Sequence, residues 1–249
     1  MPRPEFFGKL GLFVVSEFLD LATCGRLRSE MLEAASRKGK ILAKTREFEV
    51  DESIRRVLCS DVPKSTEILV EARLAQLKPQ LEEHFQTSLT GCDGPYFFRY
   101  GPEDFYKPHR DVVPDSPAEV ENRRVSVIVF LNARGEDSSA EDSYGGGALT
   151  FYGLIQGAQW ENCGFPLEAA PGLLVAFRPG ILHEVSPVAY GQRFTIAAWF
   201  TGGSSAESSA ESSAAGPRGS ELKVRVQVRK RSNRAVKGKA KTPKQRKRQ

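Results

Sequence analysis

Residues 171–200 read PGLLVAFRPGILHEVSPVAYGQRFTIAAWF. Short apolar, β-branched and aromatic runs, at Leu173 to Phe177, His183 to Val185 and Arg193 to Phe200, are separated by Gly and Pro, the punctuation of strands that reverse in turns. The same grain extends back to Pro95 and predicts further strands at Tyr96 to Tyr100, Phe105 to Asp111, Arg124 to Leu131 and Ala148 to Tyr152. Upstream the period changes. Leu12 to Val15 reads as a strand, and Asp20 is placed to cap a helix carrying Leu21, Cys24, Leu27 and Met31 that should end near Gly39. A second helix is expected from about Ser65 to Phe85, with Ile68, Leu69, Ala72 and Ala75 along one side and Pro79 as a kink or restart. Arg46 to Pro63 shows no clear period and reads as a strand and loop or as a cover. Helices followed by a block of strands predict an α+β fold whose strands close as a sandwich or jelly roll.

Composition is that of a globular chain: 249 residues, 40% hydrophobic and 27% charged, enough to bury a sizeable core. Charge is unevenly placed. Residues 217–249 hold 14 Lys or Arg against the single acid Glu221, whereas residues 1–216 hold 22 basic and 30 acidic residues. Between body and tail, Ser204 to Ala215 repeats SSAE, SSAE, SSAA, a stretch too polar to bury anything. The expected organisation is a folded domain over 1–202, a linker over 203–216 and a disordered basic tail over 217–249. Cys24, Cys59, Cys92 and Cys163 show no CxxC spacing, so free thiols are expected rather than zinc or a disulfide framework. No apolar run approaches the roughly 20 residues of a membrane span. Glu5, Lys9 and Glu17 interrupt any signal-like start, which points to a soluble cytoplasmic protein.

Chemistry concentrates in three histidines and their neighbours. His109 and Asp111 stand two apart in FYKPHRD, and side chains at i and i+2 of a strand share a face, so one strand can offer an imidazole and a carboxylate to one ion. A surface His beside a solvated Asp is the plain alternative. His183, just past an apolar run, supplies a third ligand, and two His with one carboxylate make the facial triad that leaves three positions open on non-haem Fe(II). Arg193 follows ten residues later, and a reversal about Val188 returns it beside His183 in the next strand. There its guanidinium fork suits a carboxylate; the plain alternative is a salt bridge to Glu161 or Glu168. His84, near a helix end, is set aside as a surface residue. Gly145 to Gly147 lacks the following Lys-Ser/Thr of a phosphate loop and reads as a turn into a strand.

RYGPEDFYKPHRD (99–111), GGGALTFY (145–152) and residues 171–200 together resemble the 2-oxoglutarate and Fe(II)-dependent dioxygenases, in particular the prolyl 4-hydroxylase-like branch, over about Leu12 to Thr201. The resemblance implies a double-stranded β-helix (jelly roll) core with flanking N-terminal helices, and iron bound by His109, Asp111 and His183. It implies 2-oxoglutarate as co-substrate held by Arg193, with Tyr100 hydrogen-bonding it, Thr195 assisting Arg193 and Trp199 lining the pocket. O2 is the oxidant, ascorbate an optional reductant, and a peptidyl prolyl or related residue the implied substrate, with succinate and CO2 released. Phe130 departs from the family, where many relatives have a tyrosine, so Arg193 loses a potential helper.

Two covers are conceivable, residues 41–63 and the polar, Gly-rich stretch 132–147, the latter equally readable as an inert hairpin. A small-molecule hydroxylase is the competing enzymatic reading and should show a closed pocket with further charged anchors. A nucleic-acid demethylase ranks low, because Trp199 stands where such relatives carry a second arginine. A jelly-roll binding module with a relic metal site is the non-enzymatic alternative. For the tail, cationic density without interleaved aromatics suggests non-specific contact with nucleic acid or ribosomes, and no membrane.

Overall fold

The computed structural model describes residues 4–43, 45–135 and 142–203. The linker beyond residue 203 and the basic tail lie outside the described residues.

Helix α1 (Pro4–Lys9) leads through β1 (Leu12–Val15) to α2 (Leu21–Glu33). The Asp20 carboxylate accepts the Thr23 backbone N–H at 2.8 Å, capping α2 as its position predicts. Next come β2 (Ser36–Lys38), the small hairpin of β3 (Ile41–Leu42) and β4 (Phe48–Glu49), then β5 (Arg55–Arg56) and β6 (Leu58–Ser60). Helix α2 stops at Glu33, well short of Gly39. Beyond its buried stripe of Cys24, Leu27 and Met31 the sequence offers only Ala34 and Ala35 and then a polar run, and β2 pairs with β6 instead.

Helix α3 (Lys64–Phe85) continues through Pro79 as one element. Its buried stripe is Val70, Leu74, Leu77, Leu81 and Phe85, which corrects the expected one. Ile68 is 54% exposed, and Ala72 and Ala75 face outward. Both stripes have helical spacing, but large branched and aromatic side chains remove more apolar area from water than alanines do, so they take the core. His84, near the end of α3, packs its ring against Phe13 and Phe85.

The remaining chain is mainly strand: β7 (Gly91–Tyr100), β8 (Phe105–His109), the short α4 (Ala118–Glu121), β9 (Arg123–Phe130), β10 (Ala133–Arg134), β11 (Ser143–Gly146) and β12 (Leu149–Tyr152). It closes with β13 (Gly164–Leu167), β14 (Leu174–Phe177), β15 (Leu182–Val185), β16 (Val188–Gly191) and β17 (Arg193–Thr201). Each strand expected between residues 95 and 200 is present, although β7 begins at Gly91 and β8 ends at His109. The major sheet runs β1-β14-β9-β17-β7-β6-β2 and the minor sheet β13-β12-β15-β8-β5, all neighbours antiparallel.

Alternation along the central strands sorts their residues between two apolar layers. Val125, Val127 and Val129 of β9 and Phe194, Ile196 and Ala198 of β17 pack with α2 and α3. Phe130 of β9, Val175 and Phe177 of β14 and Ala197 of β17 point the other way, onto Phe151 of β12 and Val185 of β15. Two facing antiparallel sheets with helices on one outer face make the α+β jelly roll. Odd-numbered residues of β17, Arg193, Thr195 and Trp199, thereby share the inner face. All four cysteines are free, and no described helix is long and apolar enough to cross a membrane.

The corrected face of α3 is directly testable. Leu74→Ala, at a site 1% exposed, is expected to cost about 2–5 kcal/mol in urea unfolding, and Ile68→Ala to stay within about 0.5 kcal/mol.

Candidate active site

Strands β8 and β15 are antiparallel neighbours in which His109 and His183 face each other directly. Asp111 lies just past the end of β8, where its backbone N–H donates to the Pro179 carbonyl at 2.9 Å, on the loop entering β15. Its carboxylate therefore swings back to both imidazoles, 3.7 Å from Nε2 of His109 and 3.8 Å from Nε2 of His183. All three donor atoms lie within 4.8 Å of one another. An octahedral ion with bonds near 2.1 Å separates adjacent donors by about 3.0 Å, so a shift of under about 1 Å each closes the shell.

Tautomers are set by the backbone. Nδ1 of His109 is 2.9 Å from the Lys107 carbonyl and Nδ1 of His183 is 3.0 Å from the Ile181 carbonyl. A carbonyl can only accept, so each Nδ1 carries the proton and each Nε2 presents a lone pair. Burial, aided by the neighbouring His183, pushes the His109 pKa down to about 3, keeping the ring neutral. For Asp111, burial acts upward, but the two neighbouring imidazoles and the hydrogen bond from Ser126 outweigh it and hold the carboxyl below its usual range. Ser126 Oγ donates at 2.6 Å. A neutral His109 imidazole and the Asp111 carboxylate thus face the same point as Nε2 of His183, and the three donors converge where a cation could be held.

Arg193, at the start of β17 opposite Tyr100 of β7, is 1% exposed. Its guanidinium lies 5.0 Å from the Tyr100 ring centroid and 5.3 Å from that of Phe130, and Nη1 donates to Thr195 Oγ1 at 3.3 Å. Nε and Nη2 are buried without a hydrogen-bond partner. Glu161 and Glu168 are exposed, and among the described residues no acid pairs with Arg193. Leaving a buried guanidinium unpaired costs several kcal/mol, which an anionic ligand at this position would offset. His109, Asp111, His183, Tyr100, Arg193 and Thr195 all line one inner chamber of about 40 Å³, and Trp199 closes it. The chamber opens beside His109, Asp111 and Trp199 onto an outer cleft of about 1170 Å³.

Three participants escaped the sequence reading. Tyr144, in β11, is 1% exposed; burial raises its phenol pKa while the adjoining Arg193 guanidinium opposes the rise. A hydroxyl absent from position 130 thus reaches Arg193 from a different strand. Gly147 permits this approach, since a Cβ there would stand 3.1 Å from the Tyr144 ring and 3.2 Å from Arg193 Cδ. Tyr106 stacks on His109 at 3.4 Å between centroids. Arg55 of β5, paired with Tyr106 of β8, lines both chamber and cleft. Tyr144 was hidden because the stretch 132–147 reads as polar loop; its one visible signal was an aromatic just before three glycines. Of the two expected covers, Ile41, Leu42, Phe48 and Ile54 line the cleft, while residues 136–141 lie outside the described residues.

Residues 96–201, which contain the whole triad and Arg193, match the model of the 2OG-Fe(II) oxygenase superfamily. No curated protein sequence matches the chain. Among solved structures, a Pseudomonas putida prolyl-4-hydroxylase is 22% identical, with 78% of this chain and 93% of that one covered at a TM-score of 0.54. A Trichoplax adhaerens prolyl hydroxylase, solved with a peptide fragment of the hypoxia inducible factor oxygen degradation domain, is 19% identical over 79% of this chain and 86% of that one, at 0.57. A Burkholderia pseudomallei oxidoreductase of the 2OG-Fe(II) oxygenase family is 13% identical, covering 80% and 91%, at 0.51. At these identities the likeness speaks for the fold.

His183→Ala is expected to weaken divalent-ion binding by more than about 100-fold in anaerobic equilibrium dialysis with Fe(II). Unchanged affinity in a folded variant would remove β15 from the metal site.

Proposed function

We propose that this chain, whose residues 96–201 match the 2OG-Fe(II) oxygenase superfamily, is an oxygenase of that kind and hydroxylates a C–H bond of a protein, at a prolyl or related residue, releasing succinate and CO2. The observation that carries the proposal is the shared chamber, in which three acceptor atoms converge and an unpaired arginine lies buried. These residues fit Fe(II) and a keto diacid, one anion accepting the guanidinium fork and the other end free to reach the metal.

When bound, Fe(II) and 2-oxoglutarate supply the oxidation, with one atom of O2 entering succinate and the other the substrate hydroxyl as CO2 leaves. His109 and His183 would hold the ion through Nε2, and Asp111, as the sole anionic ligand, would leave it net positive toward an anionic co-substrate. Arg193 receives the distal carboxylate through its free N–H groups, with the Thr195 and Tyr144 hydroxyls beside it. Tyr100 walls the chamber, and Trp199 directs its buried indole N–H toward Asp111 while forming the boundary with the cleft. Together these side chains exclude water from the oxidising step. Ascorbate would serve outside this cycle, as a reductant that keeps the iron ferrous.

A protein substrate is favoured over a metabolite by the cleft, whose volume exceeds that of ordinary small-ligand pockets, roughly 300–1000 Å³. The peptide seated on the Trichoplax protein of similar fold adds support. Residues 1–202 are proposed as the catalytic unit, 203–216 as a linker and 217–249 as a separate electrostatic contact for nucleic acid, the last supported by charge alone.

The test is spectroscopic. Anaerobic protein given Fe(II) and 2-oxoglutarate should develop the visible charge-transfer band of a chelated keto acid, and its absence in folded protein would defeat the reading. Tyr144→Phe should keep the band but require about tenfold more 2-oxoglutarate to saturate it, as expected for losing one hydrogen bond within a charged cluster. Deleting residues 217–249 should abolish salt-sensitive RNA binding and leave succinate release intact; unaltered RNA binding would refute the role given to the tail.

A further inference from the structure

A second buried arginine, which lines both the chamber and the cleft, has no function in the scheme above. Arg55 is 8% exposed, its guanidinium 4.3 Å from the Phe98 ring and 4.6 Å from the Tyr106 ring, the latter stacked on His109. Nη1 donates to the Lys40 carbonyl at 2.8 Å. Nε is buried without a partner, and among the described residues neither a hydrogen bond to Nη2 nor an acid within ion-pair distance of the guanidinium is found. Rings on its faces and a carbonyl on Nη1 leave the Nε–Nη2 edge, the one that matches a carboxylate with two parallel hydrogen bonds. Gly39 packs closely here, since a Cβ there would stand 2.4 Å from Val57 Cγ1 and 3.3 Å from Arg55 Nε.

The surroundings share this charge. The cleft is lined by Arg37, Lys38, Lys40, Arg55, Arg110 and Arg123, against Asp93, Glu119 and the ligand Asp111. Arg37, Lys38 and Arg123 are neutralised by Asp61, Glu52 and Asp93, whereas Lys40, Arg55 and Arg110 have no ion-pair partner among the described residues. A cationic cleft in an otherwise acidic body, 22 basic against 30 acidic residues over 1–216, is a local inversion of the field.

We propose that Arg55 docks a carboxylate of the substrate, so that the protein selects an acidic peptide segment, with an Asp or Glu side chain beside the residue to be oxidised. This rests on the peptide reading above and narrows it. Arg55 belongs to the stretch that lines the cleft, so the selecting charge and the cover are one segment. A basic or neutral segment would leave the guanidinium desolvated and unpaired, which is discrimination by penalty as well as by attraction.

The test uses the full chain loaded with Mn(II) and 2-oxoglutarate, which occupies Arg193, and three fluorescein-labelled probes: four repeats of Ala-Pro-Glu, Ala-Pro-Gln or Ala-Pro-Lys. Fluorescence anisotropy is expected to show the Glu probe binding at least tenfold tighter than the Gln probe, with Lys weakest. Arg55→Gln should bring the Glu-to-Gln ratio to within about twofold. Arg55→Lys, which keeps the charge but loses the fork, should give an intermediate ratio, and carries the test should the glutamine variant show a lowered thermal midpoint. Lys40→Gln controls for general charge and should leave most of the preference. Equal wild-type affinity for Glu and Gln probes, or a preference indifferent to both Arg55 variants, would overturn the proposal. So would free glutamate competing as well as the Glu probe, which would transfer the site to a small acid. The two readings fail separately: a missing charge-transfer band counts against the iron chemistry, while the probe ratio and its dependence on Arg55 are read by binding alone, without turnover.

Discussion

Everything chemical in this protein depends on one strand pairing. His183 sits on β15 directly opposite His109 on β8, and Asp111 returns to them because its backbone is pinned to the Pro179 carbonyl on the loop entering the same strand. A slip of one residue between β15 and β8 would turn His183 toward the opposite face of the minor sheet, since side chains alternate with period two. The pairing is held by material with no chemistry of its own. Phe151 and Phe177 pack their rings around His183, at 6.1 and 4.8 Å between centroids, and Val185 seals the far end of the strand in the same apolar layer. Sheet packing is therefore what converts two distant stretches of sequence into one ligand set.

The same alternation explains why the charged residues cost stability and yet persist. On β17, Phe194, Ile196 and Ala198 point at the helices and anchor the strand, while Arg193, Thr195 and Trp199 are carried on the inner face. Arg193 cannot reach water, and Arg55 scarcely can; each leaves N–H groups unmatched inside the protein. Aromatic faces on both guanidiniums recover part of the desolvation cost, of order 1–2 kcal/mol per contact at buried sites. The remainder is left as unmatched N–H groups at two points near the His109, Asp111 and His183 cluster, both lining the chamber.

How much of this was legible in the sequence varies with the physics of each residue. Strands β9, β14 and β17 were readable because burial on both faces leaves a nearly continuous apolar run between Gly and Pro breaks, and HxD followed by a distant His marks the candidate ligands by spacing. The end of α2 was not readable, because whether Ser36 to Lys38 continues a helix or becomes an edge strand depends on β6, more than twenty residues away. The face of α3 was misjudged because two stripes of helical period coexist there, and only the bulk of the opposing sheet chooses between them. Arg55 lay in a stretch without any period; its surroundings come from Tyr106, its partner across the sheet, and from the Phe98 ring, both distant in sequence.

Phe130 and Tyr144 show why a site cannot be read one position at a time. Where a tyrosine in β9 would address Arg193 from one side, this chain has Phe130, whose ring only stacks, and the hydroxyl arrives instead from β11, across Gly147. The exchange changes which sheet carries the phenol. A tyrosine in β9 is fixed at the centre of the major sheet, whereas Tyr144 belongs to a three-stranded sheet of β10, β11 and β16, and β16 leads directly into Arg193. Arg193 and this phenol are thus joined through one small sheet, and Tyr144 itself comes from a stretch that in sequence was equally readable as an inert hairpin or a cover.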